Sequence, residues 1–476
     1  MKYQQFINGT FKDGCSKEHF SVISPIDGRE ITKYPFAAES DVNEAINSAH
    51  DALYQWKNMS ALKRADYLLD IAAFLKGNTD EIARQITTEL GKPLVESQAE
   101  VATAIGMFRW AAEEARRIYG RSIPARSPGV QQFVQLEPRG VVAAISGWNA
   151  PAITPSRKIS SALAAGCTIV IKPSEETAGV ALCIAQAAQK AKLPAGVLNM
   201  VFGPPAQVAD IFCNSPLVSM ITFTGGTEVG KGLAVKASQH LKHATLELGG
   251  HAPVIVWRDA PIEKVVAATA RVKYRNSGQV CTSPTRFLIH EDIYDEFSKE
   301  FIKQAQAIKV GDPFAAGIQM GPLKNERRLQ AVEKLVARSL EQGATLLTGG
   351  KRLDCPGFYY EPTVLAVDQT KVDACHIEPF GPVAVLMKVE SLDQALQQAN
   401  ALPFGLASYV FTQNMKVAYR CTQEIDSGVV CVNELQASLP ETPFGGFKDS
   451  GLGSEGGSEG IMEFLRVKSI RQGDLL

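Results

Sequence analysis

From residue 139 onward the chain alternates short apolar runs with amphipathic ones, and this rhythm restricts the possible fold more than any other feature. Val141-Ile145, Thr168-Ile171, Val197-Val201 and Ser219-Thr222 are strand-like. Helical stretches run between them, from about Ser156 to Leu163, Ala178 to Lys190 and Ala206 to Cys213. A β-α-β-α-β succession predicts a mostly parallel, doubly wound sheet with helices on its faces. A second α/β series spans 251 to about 425. Its strands fall near Ala252-Val256, Phe287-His290, Thr345-Thr348, Pro382-Val389 and Ala407-Val410, and its helices include Tyr294-Ala307 and Glu326-Glu341. Ahead of both lie helical patterns at Asp41-Trp56, Ala61-Lys76, Asp80-Thr88 and Gln98-Tyr119, after an Asn8-Gly9 hairpin joining Gln4-Phe6 to Thr10-Lys12. Gln131-Glu137 alternates like a strand, and 121–138 reads as an arm outside the main core.

A chain of 476 residues corresponds to about three domain-sized units. Lys and Arg number 49 against 50 Asp and Glu, with no basic stripe, so nucleic acid and acidic membrane surfaces are not expected partners. The nine cysteines are scattered and form no C-x-x-C pair, which argues against a disulfide framework or a zinc site and for a reducing, cytoplasmic setting. The start of the chain has no apolar core of signal-peptide length, and no run of about 18 apolar residues is present to span a bilayer.

Two side chains suggest covalent chemistry. Cys281, in Gly278-Gln-Val-Cys-Thr-Ser-Pro284, is a thiol able to attack a carbonyl, and Glu247, in Leu246-Glu-Leu-Gly-Gly250, is a carboxylate able to accept a proton. Asn149, just past strand Val141-Ile145, is placed to donate an amide N–H to a developing oxyanion, a contribution of about 3–4 kcal/mol where such donors have been removed. After Ser219-Thr222 comes Phe223-Thr-Gly-Gly-Thr-Glu-Val-Gly230 and then a helix, whose amino-terminal amides would face a pyrophosphate. Gly225 and Gly230 keep the outer positions of G-x-G-x-x-G, while Thr227 replaces the middle glycine. Lys172-Pro-Ser-Glu175 sets a cation and a carboxylate at the carboxyl edge of the same sheet, where each could grip a ribose hydroxyl.

Together these segments resemble the NAD(P)-dependent aldehyde dehydrogenase superfamily over essentially the whole chain. Six motifs stand in that family's order: Trp148-Asn149-Ala150-Pro151, Lys172 to Glu175, Phe223 to Gly230, Glu247-Leu-Gly-Gly250, Gly278-Gln-Val-Cys281 and Glu378-Pro-Phe-Gly-Pro382. The resemblance implies a Rossmann-type cofactor domain (1–120 and 139–248, with part of 426–463), an α/β catalytic domain (249–425) and a small β oligomerisation arm (121–138 and 464–476). It implies Cys281, Glu247, Asn149 and Lys172 as catalytic residues. The cofactor group would be Trp148, Lys172, Ser174, Glu175, Gly225, Gly226, Gly230, Leu248, Glu378 and Phe380. NAD is expected, with NADP possible, because Glu175 would accept hydrogen bonds from the adenosine 2′-hydroxyl and repel a 2′-phosphate. A homodimer or homotetramer is expected.

Three departures bear on function. Gly226 replaces a serine able to touch phosphate, Ala150 replaces a phenylalanine beside Asn149 and should open the pocket there, and His251 stands where Lys, Asn or Gln is usual. Arg157 and Arg275 match positions that bind the substrate carboxylate in succinate-semialdehyde dehydrogenases, with Ser438 and Phe444 beside them. Ser283 stands where some members of that group carry a second cysteine, so no local disulfide switch is expected. The expected reaction is oxidation of a semialdehyde such as succinate semialdehyde through a thiohemiacetal and a thioester. An aldehyde dehydrogenase for aromatic or aliphatic aldehydes is the alternative, and a catalytically silent nucleotide-binding relative is a third reading from another class.

Overall fold

The computed structural model describes residues 2–368 and 371–473. The first sheet has eight strands, in the order Thr10–Lys12, Gln5–Ile7, Leu198–Met200, Thr168–Lys172, Val141–Ile145, Val218–Thr224, His243–Glu247, Gly451–Leu452. Its five central strands are parallel, and the two flanking pairings to Gln5–Ile7 and Gly451–Leu452 are antiparallel. Chain order reverses between Val141–Ile145 and Val218–Thr224, and ligands of doubly wound sheets bind at the carboxyl ends of the strands beside such a reversal. All five residues of Val141–Ile145 are buried, as the uninterrupted apolar run requires of a strand covered on both faces.

The second sheet orders Thr345–Thr348, Thr363–Ala366, Val383–Val389, Arg286–His290, Pro253–Val256, Ala407–Phe411 and Val429–Val432. Only the edge strand Thr345–Thr348 runs antiparallel. A separate three-stranded antiparallel sheet pairs Gln131–Pro138 with Arg121–Ile123 and Leu465–Gln472, its residues largely exposed.

Several elements are longer than their apolar pattern, or were not read from it. Helix Ile153–Ala165 begins three residues before Ser156 because Glu100 accepts the N–H groups of Ala152 (2.8 Å) and Ile153 (3.4 Å), which have no partner within the helix. It ends at Gly166, whose φ of 89° suits glycine at a helix terminus. The Gln98-Tyr119 pattern is observed as Leu94–Ala115, shifted to follow Pro93. Strands Thr363–Ala366 and Val429–Val432, the hairpin of His19–Ile23 with Glu30–Pro35, and helix Ile262–Tyr274 were not singled out from sequence. Among the described residues no helix is long and apolar enough to cross a membrane.

Candidate active site

A cleft of about 950 Å³ separates the carboxyl ends of the first sheet from the second. From the first sheet come Trp148, Asn149 and Ala150 after strand Val141–Ile145, Gly225 and Gly226 after Val218–Thr224, and Glu247 and Leu248 at the end of His243–Glu247. From the second come Arg275, Cys281, Glu378 and Phe380. Arg157, Ser438 and Phe444 complete the wall.

The segment before the nucleophile is wound unusually. Asn276, Ser277 and Gly278 all have positive φ, at 49°, 54° and 72°. For the first two this costs about 1–3 kcal/mol each, a conformation that persists only where surroundings over-determine it. The determinants are hydrogen bonds: Asn276 N–H donates to Glu96 Oε2 (2.9 Å), its Nδ2 to the carbonyls of Asn149 (3.0 Å) and Gln279 (3.1 Å), and Ser277 Oγ to the carbonyl of Gly321 (2.7 Å). At Gly278 a Cβ would lie 2.0 Å from the Gly381 carbonyl oxygen, too close for any side chain. Gly278→Ala is therefore expected to lower Tm by several degrees and to abolish aldehyde oxidation; a variant with wild-type melting and turnover would refute this account of the loop.

Asn149 links the two sheets, because its Nδ2 donates to the Gln279 carbonyl (3.2 Å) two residues before Cys281. The Cys281 thiol is held well above its ordinary pKa by burial and by the carboxylates of Glu247 and Glu378. A base is consequently needed to make the thiolate. Glu247 is pushed up to about 8, first by burial and then by the Glu455 carboxylate, with Arg157 and Lys158 pulling the other way. Its Oε1 makes no hydrogen bond, leaving an acceptor for water or a proton in the cleft. Glu455 is bonded to the fully buried Lys158, whose Nζ also donates to Thr222 Oγ1 (2.9 Å). Sequence reasoning missed Glu455 and Lys158, since neither lies in a recognisable motif and only the fold brings position 455 beside 158.

The features suited to a dinucleotide lie at the other end. Gly226 caps helix Thr227–Ser238 and has open space around its Cα, so a phosphate could approach the amides of that helix end. A Cβ on Gly230 would strike Leu248 at 2.2 Å, so this glycine serves close packing of helix on strand and does not line the cleft. The Glu378 carboxylate passes 2.8 Å from where a Cβ of Gly249 would be, and burial pushes it up to about 8. Trp148 and Phe380 meet edge to face at 5.5 Å, with Phe380 at φ 40°. These residues fit a bound nicotinamide dinucleotide. Lys172 Nζ is bonded to Glu175 Oε2 (2.5 Å) and to the carbonyl of Pro173 (3.2 Å), and Lys172, Ser174 and Glu175 lie outside the lining that contains Cys281. Lys172 thus stands with Ser174 and Glu175 at the end of strand Thr168–Lys172, apart from that lining.

Arg157 is only 6% exposed. Its Nη2 donates to Ser438 Oγ (2.5 Å), its Nη1 is 3.7 Å from Glu455, and its guanidinium lies 4.7 Å from the Phe444 ring centre. Arg275 is exposed at the carboxyl end of helix Ile262–Tyr274.

A thiol, a carboxylate with a free oxygen and a side-chain amide donor, set beside a nucleotide-type helix end, define a dehydrogenase that works through a covalent thioester. The chain belongs to the aldehyde dehydrogenase family, whose model matches residues 11–470. It is 42% identical to a putative 4-(hydroxymethyl)benzenesulfonate dehydrogenase of Comamonas testosteroni, covering 97% of this chain and 96% of that one. It is 36% identical to the NADP(+) succinate-semialdehyde dehydrogenase of Escherichia coli K12, over 98% and 97% of the two chains. The crystal structure of betaine aldehyde dehydrogenase from Staphylococcus aureus in complex with NAD+ superposes with a TM-score of 0.97 at 32% identity, covering 99% and 95%. As a family member the protein is an NAD(P)-dependent oxidoreductase acting on aldehydes.

Proposed function

We propose that the protein oxidises an aldehyde bearing a remote acid group to the corresponding carboxylic acid, with succinate semialdehyde as the first candidate. The observation carrying this reading is that Arg157 and Arg275 line the same cleft as Cys281. A guanidinium presents a planar fork of donors to a carboxylate and is poorly matched to a neutral chain end. In this mechanism Glu247 takes the thiol proton, Cys281 Sγ attacks the aldehyde carbon, and the oxyanion is held by Asn149 Nδ2 and the Cys281 N–H. The nicotinamide, when bound, supplies the acceptor for the hydride that leaves the thiohemiacetal. Once Glu247 has released the thiol proton to solvent, it deprotonates the water that hydrolyses the thioester, and Cys281 leaves as the thiolate. Glu378 and Phe380 orient the nicotinamide end, Lys172, Ser174 and Glu175 the adenosine ribose, and Glu175 favours NAD over NADP.

We assign 1–120 and 139–248, with part of 426–463, to the cofactor domain and 249–425 to the catalytic domain. The arm of 121–138 and 464–476, of which 474–476 lie outside the described residues, would join subunits into a cytoplasmic homodimer or homotetramer.

A second reading, an aromatic substrate, is favoured by Ala150, which leaves the wall beside Asn149 without a large side chain, and by the benzenesulfonate named for the Comamonas relative. Initial rates on succinate semialdehyde, glutarate semialdehyde, benzaldehyde and propanal, each with NAD and with NADP at equal concentration, test both readings. The acid-bearing aldehydes with NAD should be used best. Preference for propanal would sink the acid-group reading, and preference for NADP would sink the role given to Glu175.

A further inference from the structure

An aldehyde with one acid group needs one cationic anchor, yet the cleft offers arginines in two different environments. Arg157 is the inner one, and it is already engaged by Ser438, Glu455 and Phe444. The outer pair stands on helix Ile262–Tyr274 and its continuation, which turn Ala268, Arg271, Val272 and Arg275 toward the cleft. Spacings of three, four and seven residues put all four on one helical face. Arg271 thus precedes Arg275 by about one turn, about 5.4 Å along the helix axis.

Both outer arginines are exposed to the cleft, and neither makes an ion pair or hydrogen bond with a described residue. The charge that senses both is Glu96, on the facing helix Leu94–Ala115. Its carboxylate accepts the Asn276 N–H, and burial pushes it up to about 7. Like charges one turn apart on a helix repel, so an anion held between them relieves a standing cost. The cleft that holds this pair and Cys281 is also lined by Ala150, Ile153, Val280 and Leu435, with no large side chain at position 150. A flat apolar spacer suits that lining.

We infer that Arg271, together with Arg275, determines specificity by binding the acid group of a benzaldehyde substituted opposite its aldehyde with a sulfonate or carboxylate. The inference rests on the proposed aldehyde oxidation and names its substrate class. Two guanidinium forks one turn apart can satisfy the three oxygens of a sulfonate, whereas a carboxylate fills only one fork. Sulfonate is therefore the better ligand of the two.

The test compares wild type, Arg271→Ala and Arg271→Lys on 4-formylbenzenesulfonate, 4-formylbenzoate, benzaldehyde and succinate semialdehyde with NAD. Calorimetric binding of the product analogue 4-sulfobenzoate is measured alongside. Arg271→Ala should raise KM for both acid-bearing benzaldehydes by about 10- to 100-fold with kcat little changed, weaken 4-sulfobenzoate binding similarly, and leave benzaldehyde within about twofold. Arg271→Lys should recover part of the loss, because it restores charge without the fork. A loss shared equally by benzaldehyde, or unchanged KM for the acid-bearing benzaldehydes, would overturn the inference. Failure of the underlying reaction looks different: a wild-type enzyme that reduces NAD with none of the four aldehydes would refute the proposed function itself.

Discussion

Replacing Cys281 with alanine is expected to lower aldehyde oxidation by about 10⁴- to 10⁶-fold, the scale on which covalent catalysts lose rate when the nucleophile is removed. Binding of NAD should be unchanged, because the helix end at Gly226 and the ribose group at Lys172 to Glu175 lie on separate elements. Melting should change by no more than about a degree or two, since Cys281 lines an open cleft and the substitution removes only its sulfur. Initial-rate assays with the best aldehyde, paired with NAD titration, check all three. A silent nucleotide-binding relative has no turnover to lose, so undiminished NADH production by Cys281→Ala would remove the thioester route altogether.

The second large effect is expected from Glu247→Gln. Because Glu247 both takes the thiol proton and activates the hydrolytic water, the variant should show no burst of NADH and turn over about 10²- to 10⁴-fold more slowly. A burst of up to one equivalent of NADH per active site would show instead that Glu247 serves thioester hydrolysis alone. In the wild type, hydrolysis should gain rate as pH rises through about 8, where Glu247 gives up its proton. Glu455→Gln removes a like charge from beside Glu247 and should move that limb to lower pH.

Stability provides an independent readout of the same group. The folded chain holds the Glu247 proton up to about pH 8, while an unfolded chain releases it near 4.5. Because the native state binds this proton more tightly, its contribution to stability declines as pH rises across that window. Glutamine does not titrate, so the Tm of Glu247→Gln relative to wild type should rise between pH 5 and pH 8.5. A constant difference across that range would contradict the burial argument.

The doubly wound sheet was legible because four of its five central strands are short, mostly apolar runs separated by helices, whereas His243–Glu247, which starts on a histidine and ends on a carboxylate, was not read as a strand; helix Ala178–Lys190 matches its predicted limits. The elements left unread share a physical cause. Thr363–Ala366 is a four-residue strand amid irregular chain, too short for periodicity to register. Helix Ile262–Tyr274 mixes Glu263, Lys264, Arg271 and Lys273 into its pattern, and one of those serves the interior: Lys273 is buried against Ser283 (3.1 Å), while Arg271 is exposed and lines the cleft. At the site, the residues read from sequence were those in contiguous motifs. Lys158, Glu455, Glu96 and Arg271 act only in company that the fold assembles from distant positions. Lys172 is the converse case, since its motif is unmistakable and its ion pair with Glu175 lies within that same motif.

The bond from Asn149 to the Gln279 carbonyl joins the ends of two separately built sheets, and Glu247 and Cys281 likewise come from opposite sides of the cleft. Neither half therefore holds a complete set of reacting groups. Catalytic competence becomes a gauge of how the two halves are seated: mild denaturant that loosens their junction should extinguish turnover while both sheets remain folded. For the same reason a substitution far from the thiol, anywhere along that junction, can behave kinetically as if it had struck the nucleophile.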